Sequence, residues 1–361
     1  MKALAVYPFT QAVKMIFDHP EPYIQAPDHV KIRMLSVGIC GTDQEIVSFH
    51  YGTPPKDSEY LVIGHESLGI VAEVGESVRQ FSVGDLVVIM VRRPCPHAQC
   101  VACTAGRPDF CYSGNFTERG IKERHGFLTE YVIEEEQYLI PIHKSLRDVA
   151  VLTEPLTIAE KALQQIREVQ DRMPWPVSGQ YRIAMVLGAG PVGLLGAMLL
   201  RKNGYRTIVY SREPDTSDRA AILMKIGIEY VSSEKVTIPD LARNVGHPDV
   251  VYEATGAAGI SFELLEQLDV NGIFIFTGVP GRKKMLELNA SKIMSNIVLK
   301  NQIILGTVNA GKDSYIQAAA DLGEFYNAWP EATRGLITGH HALQDFSSAL
   351  ARSGIKNVID L

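Results

Sequence analysis

The sequence predicts an α/β protein of two domains, a β-rich domain joined to a doubly wound parallel sheet. At 361 residues the chain is longer than one hydrophobic core usually serves. Up to about residue 155, short and often alternating apolar segments are separated by turns, the pattern of a mostly antiparallel β domain. From about residue 182, short continuous apolar segments alternate with helical patterns, which indicates a parallel sheet covered on both faces.

The first half supplies the β-rich domain. Its β-type segments include residues 29–39, 67–75, 85–90 and 126–134. Residues 157–170 then place Ile158, Ala162, Leu163 and Ile166 at helical spacing, so a helix is expected there. The segment MPWPVSG at 173–179 has two prolines and a glycine and is typical of a boundary.

The second half supplies the parallel sheet. Strands are expected at 182–188, 207–211, 229–233, 249–256, 272–278 and 302–309, with helical stretches such as 220–227 and 260–268 between them. The tail from about residue 310 holds two helical stretches and a last β segment, NVIDL, which we expect to return to the first domain. The predicted domains are therefore 1–177 with 310–361, and 178–309. We place the strand GIFIFTG, at 272–278, at a sheet edge, where it would favour a homo-oligomer, either a dimer or a tetramer.

Composition excludes several classes of protein. The formal net charge is −6 and no basic stripe is present, so nucleic acid is not an expected partner. Residues 183–200 are uncharged, but four glycines and Pro191 break the run, so we expect no membrane span. The opening residues lack a secretion-signal pattern, and five cysteines without such a signal fit a reducing compartment. A cytoplasmic location is predicted.

A glycine-rich turn indicates dinucleotide binding. GAGPVG, comprising Gly188, Ala189, Gly190, Pro191, Val192 and Gly193, follows an apolar strand and opens a helix. Gly188 permits the sharp turn, Gly190 lets backbone approach a pyrophosphate, and Gly193 allows close packing of helix on strand. At the end of the next strand, Ser211 and Arg212 offer a hydroxyl and a cation suited to the 2′-phosphate of NADP. Glu213 is the alternative, an acid of the kind that binds the ribose of NAD.

Four of the five cysteines fall in one short segment. Cys95, Cys100, Cys103 and Cys111 form a C-x4-C-x2-C-x7-C run, the donor set of a structural zinc site. His97 is an alternative ligand that could replace one sulfur. We expect it instead to lie outside the ligand set, because four thiolates already complete a tetrahedron.

The remaining cysteine indicates a second, catalytic metal site. Cys40, His65 and Glu66 combine a sulfur, an imidazole and a carboxylate, with Glu154 as a further ligand. Adjacent strand residues point to opposite faces, so His65 and Glu66 can both ligate only from irregular backbone. Otherwise Glu66 exchanges with water or stays outside the ligand set. Thr42 offers a proton-relay hydroxyl, although a simple turn-forming role is equally compatible with its spacing, and Asp43 is placed to orient an imidazole.

The chain resembles the medium-chain zinc alcohol dehydrogenase family over essentially its whole length. The segments that match the family are GICGTD at 38–43, GHESLGIVAEVG at 64–75, FSVGDLVV at 81–88, the cysteine run and GAGPVG. It looks most like the archaeal glucose (aldose) 1-dehydrogenase branch. That likeness depends on CGTDQEIV at 40–47, VRRP at 91–94, GRPDFC at 106–111, TEPLTIAEKAL at 153–163, YEATG at 252–256 and LGTVN at 305–309.

The resemblance implies a GroES-like catalytic domain made by both chain ends, with a Rossmann NAD(P)-binding domain between them. It implies oxidation of an aldose, D-glucose first, at C1 to the lactone, with two zinc ions per chain and NADP, or NAD as well. It further implies that Cys40, His65 and Thr42 are catalytic, and that Thr42, Glu118, Glu154 and Asn309 contact the sugar. Thr255, Thr277, Val279 and Asn309 are implied in coenzyme binding. NADP-using relatives commonly carry two consecutive arginines after the second strand, whereas here Glu213 follows Arg212.

Two alternatives stay open from the sequence alone. One is a dehydrogenase of the same fold that acts on a polyol, L-threonine or a simple alcohol. The other is a noncatalytic, NADP-sensing relative of the quinone reductase or crystallin type. Such proteins usually lack the zinc ligands, so Cys40 and His65 argue against it.

Overall fold

The computed structural model describes residues 1–175, 182–281, 285–351 and 354–361. They form two compact units, Met1–Thr157 with Asn309–Leu361, and Ile158–Val308. The predicted domain boundary between residues 177 and 178 lies outside the described residues. The first division between units falls instead within a helix, Thr153–Gln170.

Strands and helices are numbered here in chain order. The strands of the first unit are β1 (Ala3–Tyr7), β2 (Ala12–Ile16), β3 (His29–Gly38), β4 (Leu61–Val62), β5 (Glu66–Val74), β6 (Leu86–Ile89), β7 (Arg92–Arg93), β8 (Thr117–Arg119), β9 (Glu123–Arg124), β10 (Tyr131–Glu135) and β11 (Leu139–Ile142). The second unit contributes β12 (Ile183–Leu187), β13 (Arg206–Ser211), β14 (Glu229–Ser232), β15 (Val250–Glu253), β16 (Ile273–Phe276) and β17 (Ile303–Gly306). Two last strands return to the first unit, β18 (Ile337–Ala342) and β19 (Lys356–Asp360).

The helices include short turns as well as long segments. They are α1 (Gly41–Val47), α2 (Val101–Thr104), α3 (Thr153–Gln170), α4 (Pro191–Lys202), α5 (Asp218–Lys225), α6 (Ile238–Val245), α7 (Ala258–Leu265), α8 (Ala290–Leu299), α9 (Lys312–Ala328), α10 (Pro330–Gly335) and α11 (Phe346–Ala349).

A large mixed sheet forms the centre of the first unit. Its strand order is β11-β6-β5-β3-β19-β18, with β10 paired to β3. Strand β3 buries Val30, Ile32 and Met34, two residues apart, because alternate side chains of a strand share one face. β19 runs antiparallel to β3 with Val358 opposite Gly38, so the C-terminal segment lies beside the residues that precede Cys40. The tail returns to the first domain, as the sequence predicts.

The second unit is a six-stranded parallel sheet in the order β14-β13-β12-β15-β16-β17. β12 and β15 are almost completely buried, which explains why their residues are apolar in an unbroken run, apart from Glu253 at the end of β15, rather than alternating. The order reverses between β12 and β15, and such a switch point opens a crevice at the carboxyl ends of the strands. The α/β class predicted from the sequence is confirmed.

Two details of this unit bear on earlier expectations. The uncharged run at 183–200 divides into β12 and α4, as its glycines and Pro191 predict. The expectation that GIFIFTG is an edge strand is wrong: it forms β16, which pairs with both β15 and β17, and the edge strands of this sheet are β14 and β17. Among the described residues, no helix combines the length and the apolar character needed to cross a membrane.

Candidate active site and metal centres

Four cysteine sulfurs converge in the segment around α2. The Sγ atoms of Cys95, Cys100, Cys103 and Cys111 all lie within 4.8 Å of one another. The Cys95 backbone N–H donates to Cys103 Sγ at 3.4 Å. Backbone hydrogen bonds from Cys103 and Tyr112 lower the pKa of Cys100 to about 6, whereas burial raises the pKa of Cys103 to about 12. A low thiol pKa favours the thiolate that metals bind. The donor set therefore fits a closed tetrahedral Zn²⁺ site.

His97 lies outside the grouping of described metal-ligating atoms. Its Nε2 is 2.7 Å from Asn115 Nδ2 on the exposed surface. This geometry agrees with the interpretation that four sulfurs form the set without it.

A second group of potential ligands forms where α1 begins and β5 begins. One ligand atom from each of Cys40, His65 and Glu66 lies within 4.8 Å of the others. Gly64, just before His65, has φ = 90°, a left-handed conformation that glycine adopts without strain. This irregular turn is what lets the neighbours His65 and Glu66 approach the same point.

Asp43 holds the two segments of this site together. Its carboxylate accepts hydrogen bonds from the Cys40 N–H at 2.9 Å and from the Gly64 N–H at 3.2 Å, and it is fully buried. Oδ1 also lies 3.4 Å from His65 Nδ1, an imidazole nitrogen that is buried without an aligned hydrogen-bond partner. Burial opposes the protonated imidazole, but the Asp43 charge prevails and raises the pKa of His65 well above its usual value. An anion at this distance suits an imidazole that binds a cation.

Glu66 is held by a lysine that the sequence analysis missed. Lys356 Nζ, on β19, donates to both Glu66 oxygens at 2.7 and 2.6 Å and to the Ile39 carbonyl at 3.0 Å. Both side chains are almost completely buried. A Cβ atom on Gly38 would lie 2.2 Å from Glu66 Oε2, so a larger residue there would displace the carboxylate. Glu66 thus reaches the site with both oxygens already engaged.

The other predicted residues of this site lie around the trio. Glu154 sits in the first turn of α3, and burial, opposed by His65 and reinforced by Glu66, raises the pKa of Glu154 to about 7. It does not belong to the tight grouping of Cys40, His65 and Glu66. Thr42 Oγ1 lies 3.9 Å from Cys40 Sγ. The structure therefore brings a hydroxyl to the predicted metal site.

Glu118, a predicted sugar contact, is fixed by an arginine. Arg92 donates to Glu118 Oε1 through Nε at 3.1 Å and Nη2 at 3.0 Å, and both side chains are buried. The two residues face each other where β7 pairs with β8. Asn309, another predicted sugar contact, is half-buried and has φ = 58°, a left-handed conformation that asparagine tolerates.

The glycine turn of the second unit has the geometry of a pyrophosphate site. Gly188 has φ = 98°, and a Cβ atom on Gly193 would lie 2.1 Å from the Gly188 carbonyl oxygen. Nothing lies within 4 Å of where a Cβ on Gly190 would be, so the N-terminus of α4 is open to a ligand. Helix N-termini of this kind bind phosphate through free N–H groups. Ala189, Pro191 and Val192 complete the turn.

The end of β13 carries both positive and negative groups. Ser211 Oγ accepts from the Ala189 N–H at 3.3 Å and donates to Glu213 Oε2 at 2.5 Å. Arg212 is exposed, and Arg219 of α5 donates to the Ala189 carbonyl at 2.5 Å. Arg219 is a cation that the sequence analysis missed. Glu213 holds the Ser211 hydroxyl on the same side.

A buried carboxylate organises the ends of β15 and β16. Glu253 Oε1 accepts from the Thr255 N–H at 2.7 Å, the Thr255 hydroxyl at 2.5 Å and the Gly256 N–H at 2.8 Å. Oε2 accepts from the Gly278 N–H at 3.2 Å, and the Thr277 hydroxyl donates to the Glu253 carbonyl at 2.7 Å. Thr255, Thr277 and the exposed Val279 are thereby presented at the carboxyl edge of the sheet, where such folds bind their ligands.

Comparison with known proteins agrees with this geometry. Residues 147–361 match the family model described as the glucose dehydrogenase C-terminus, and residues 26–144 match the alcohol dehydrogenase GroES-like domain. The chain belongs to the glucose dehydrogenase branch of the medium-chain alcohol dehydrogenases. The family resemblance seen in the sequence, and the GroES-like plus Rossmann architecture, are confirmed.

Relatives within the branch match over nearly their full length. The glucose 1-dehydrogenase of Methanocella arvoryzae is 37% identical over 350 residues, which is 97% of this chain and 96% of that protein. The glucose 1-dehydrogenase of Thermoproteus tenax is 36% identical over 351 residues, 97% of this chain and 95% of that one. Among solved structures, Haloferax mediterranei glucose dehydrogenase in complex with NADP, Zn and gluconolactone has a TM-score of 0.89 and 29% identity, and the match covers 100% of this chain and 99% of that one.

Proposed function

We propose that this protein is a zinc-dependent glucose 1-dehydrogenase that oxidises D-glucose at C1 to gluconolactone and transfers the hydride to NADP⁺ or NAD⁺. The observation that carries the proposal is the convergence of Cys40, His65 and Glu66 in the unit that also holds Glu118. The Haloferax relative, which matches over the whole chain, was solved with NADP, Zn and gluconolactone. The closely similar archaeal proteins carry the name of the same activity.

Cys40 and His65 would hold the catalytic ion, with Glu66 and Glu154 as the carboxylates beside it. Bound Zn²⁺ lowers the pKa of a coordinated hydroxyl and so makes an alcohol easier to oxidise. Cys95, Cys100, Cys103 and Cys111 would hold a second, structural ion.

The side chains around the first site bind the sugar and handle its proton. The Glu118 carboxylate would accept hydrogen bonds from sugar hydroxyls, and the Asn309 amide would donate to and accept from them, so that C1 is oriented for reaction. Thr42 would take part in removing the proton of the C1 hydroxyl, since its own hydroxyl lies 3.9 Å from Cys40 Sγ. Asp43 keeps the His65 ring in one orientation.

The second unit would bind the coenzyme. The N-terminus of α4, opened by Gly190, supplies N–H groups for the pyrophosphate. Ser211 and Arg212 suit the 2′-phosphate of NADP, while Glu213 suits the free ribose hydroxyls of NAD. Thr255, Thr277 and Val279 would line the nicotinamide side, with Asn309 as a further contact. NADP is the expected coenzyme, with NAD accepted as well.

We also propose a homo-oligomer, a dimer or a tetramer. None of the α8 residues is buried, and Met294, Val298 and Leu299 are 66, 68 and 81% exposed. The edge strand β17 exposes Ile304 beside them in sequence, and large exposed apolar areas commonly mark subunit contacts. A cytoplasmic location is proposed with it, because thiols that serve metals need a reducing compartment.

One spectrophotometric experiment tests the activity. Purified protein with zinc is offered D-glucose, other aldoses, polyols, L-threonine and ethanol, with NADP⁺ and with NAD⁺. We expect D-glucose with NADP⁺ to give the highest kcat/KM, and Cys40→Ser to lose at least about a hundredfold in kcat while keeping its structural zinc. A polyol or simple alcohol preferred over every aldose would refute the substrate, and Cys40→Ser within about tenfold of wild type would refute zinc catalysis at this site.

A further inference from the structure

Arg92 connects the sugar-binding Glu118 to the segment that carries the four cysteines. We call residues 95–111 the four-cysteine lobe. Besides its two hydrogen bonds to Glu118 Oε1, Arg92 donates from Nη1 to the Pro108 carbonyl at 3.4 Å, inside the lobe. One guanidinium therefore spans the lobe and the carboxylate.

The surroundings of Arg92 leave its guanidinium little freedom. The side chain is 8% exposed, and its Cζ lies 3.6 Å from the centre of the Phe116 ring. Lys122 lies over the same ring at 4.3 Å. A planar, stacked guanidinium with donors in fixed directions transmits the position of one acceptor to the other, which a flexible ammonium does not.

A second contact joins the lobe to the segment that carries Asn309, another of the predicted sugar contacts. Arg107 and Asp109 form a bidentate ion pair within the lobe, at 3.1 and 2.9 Å. A Cβ atom on Gly311 would lie 3.0 Å from Asp109 Oδ1 and 3.1 Å from Arg107 Nε. Gly311 is the residue before α9 and follows Asn309 by two positions. The lobe thus packs closely against the backbone that carries Asn309.

We propose that the four-cysteine lobe, through Arg92, positions Glu118 for the sugar, so that a metal in the lobe sets the affinity for substrate as well as the stability of the fold. The inference rests on the proposed function, which makes Glu118 a sugar contact. In it, Arg92 is a positioning residue that acts through Glu118. A metal ion held by the four cysteines would order the turn at Pro108, whose carbonyl accepts from Arg92 Nη1.

The experiment compares Arg92→Lys and Arg92→Met with a matched control on the same strand. Arg93→Lys changes a neighbouring arginine that is equally buried but pairs with Glu134. D-Glucose is titrated calorimetrically into each zinc-loaded protein without coenzyme, and KM and kcat are then measured. We expect Arg92→Met to weaken D-glucose binding by about tenfold, Arg92→Lys to recover part of the loss, and the KM for NADP⁺ to stay within about twofold.

Each result decides the inference. A glucose Kd for Arg92→Met within about twofold of wild type, or an equal loss in Arg93→Lys, would overturn it. Where Arg92→Met does not fold, Arg92→Lys carries the test alone. A wild-type protein that neither binds nor oxidises D-glucose would overturn the proposed function itself, whereas binding insensitive to Arg92 overturns this inference and leaves the function standing.

A second arm addresses the metal directly. Cys103→Ser is analysed by elemental analysis, with one zinc per chain retained as the expected result. We expect this protein to keep its affinity for NADP⁺, measured by fluorescence, and to bind D-glucose about tenfold more weakly. Loss of the lobe zinc with an unchanged glucose Kd would contradict the coupling. If this variant does not fold, the Arg92 comparison decides.

Discussion

Replacing Glu134 by glutamine removes the one carboxylate at the centre of three arginines. Glu134 Oε1 accepts from Arg93 Nε at 3.2 Å and Arg124 Nη2 at 3.1 Å, and Oε2 accepts from Arg119 at 2.9 and 2.8 Å and pairs with Arg93 Nη2. The Glu134 side chain is fully buried, as are most of Arg93 and Arg119. Glutamine keeps the shape and removes the charge, so two buried guanidinium groups lose their counter-ion.

The size of the effect follows from that burial. Breaking a buried ion pair by removing one partner costs about 3–5 kcal/mol, because the remaining charge stays desolvated. For a unit of this size, about 2–4 °C of Tm accompanies each kcal/mol, so the thermal transition of Glu134→Gln is expected about 6–20 °C lower. Urea unfolding at pH 7 and calorimetry measure the two quantities.

The pH dependence provides a second check. Burial opposes the ionised form, but the three arginines prevail and hold the pKa of Glu134 far below its usual range. In the unfolded chain a glutamate has a pKa of about 4.3. The contribution of Glu134 is therefore fully present above that pH and declines as the pH falls toward the folded-state pKa. The difference in stability between wild type and Glu134→Gln should shrink below about pH 4.

The matched control is Glu135→Gln, on the same strand. Glu135 is only half-buried and accepts from Gln137 Nε2 at 2.6 Å, so its loss should cost less than about 1 kcal/mol. A loss below about 1 kcal/mol in Glu134→Gln, or equal losses in both variants, would refute the assignment of stability to the arginine cluster.

Three further predictions concern the proposed coenzyme site and the predicted catalytic metal site. Gly193→Ala should weaken NADPH binding at least tenfold, on the order of 1.4 kcal/mol, because the new Cβ would lie 2.1 Å from the Gly188 carbonyl oxygen. A fluorescence titration measures this affinity. The control is Gly306→Ala, which has nothing within 4 Å of its Cβ and should bind NADPH normally. Glu213→Gln should raise kcat/KM for NADP⁺ relative to NAD⁺ by about tenfold, since it removes a negative charge beside Ser211. An unchanged ratio in steady-state kinetics would contradict the placement of the 2′-phosphate beside Ser211 and Arg212. Lys356→Met should lower the free energy of unfolding by about 3–5 kcal/mol, because it leaves the buried Glu66 carboxylate without its partner. The double variant Lys356→Met with Glu66→Gln should lose clearly less. Additive losses in urea unfolding would show that the two groups are not coupled.

The parts of the fold visible in the sequence are those encoded locally. GAGPVG carries its own requirements, since Gly188 needs a left-handed backbone and Gly193 needs to lack a Cβ, and both needs arise within six residues. The cysteine run is equally local. Alternation in β3 and continuous burial in β12 and β15 follow directly from whether one or both faces of a strand are covered.

The features that could not be predicted from the sequence are contacts between segments that lie far apart along the chain. In the sequence Lys356 is an ordinary lysine before NVIDL, and only the folded sheet shows that it binds Glu66. The available signal was a lysine at the start of an apolar strand, since a buried lysine needs an acidic partner. Arg92 and Glu253 were likewise invisible as supports of Glu118 and Thr255. The order of β16 and β17 was missed because strand order within a sheet is not written in any single strand.

The last strand has a consequence for how the protein is made. Lys356 lies 290 residues after Glu66, so at about 5–20 residues per second a ribosome needs about 15–60 s between the two. Throughout that interval the Glu66 carboxylate lacks its Lys356 partner, and β3 lacks the strand β19 that later pairs with it. The pairing of Glu66 with Lys356 therefore forms only after almost the whole chain has been made, and a message cut short before codon 356 would yield a chain with all the predicted zinc ligands but without the lysine that binds Glu66.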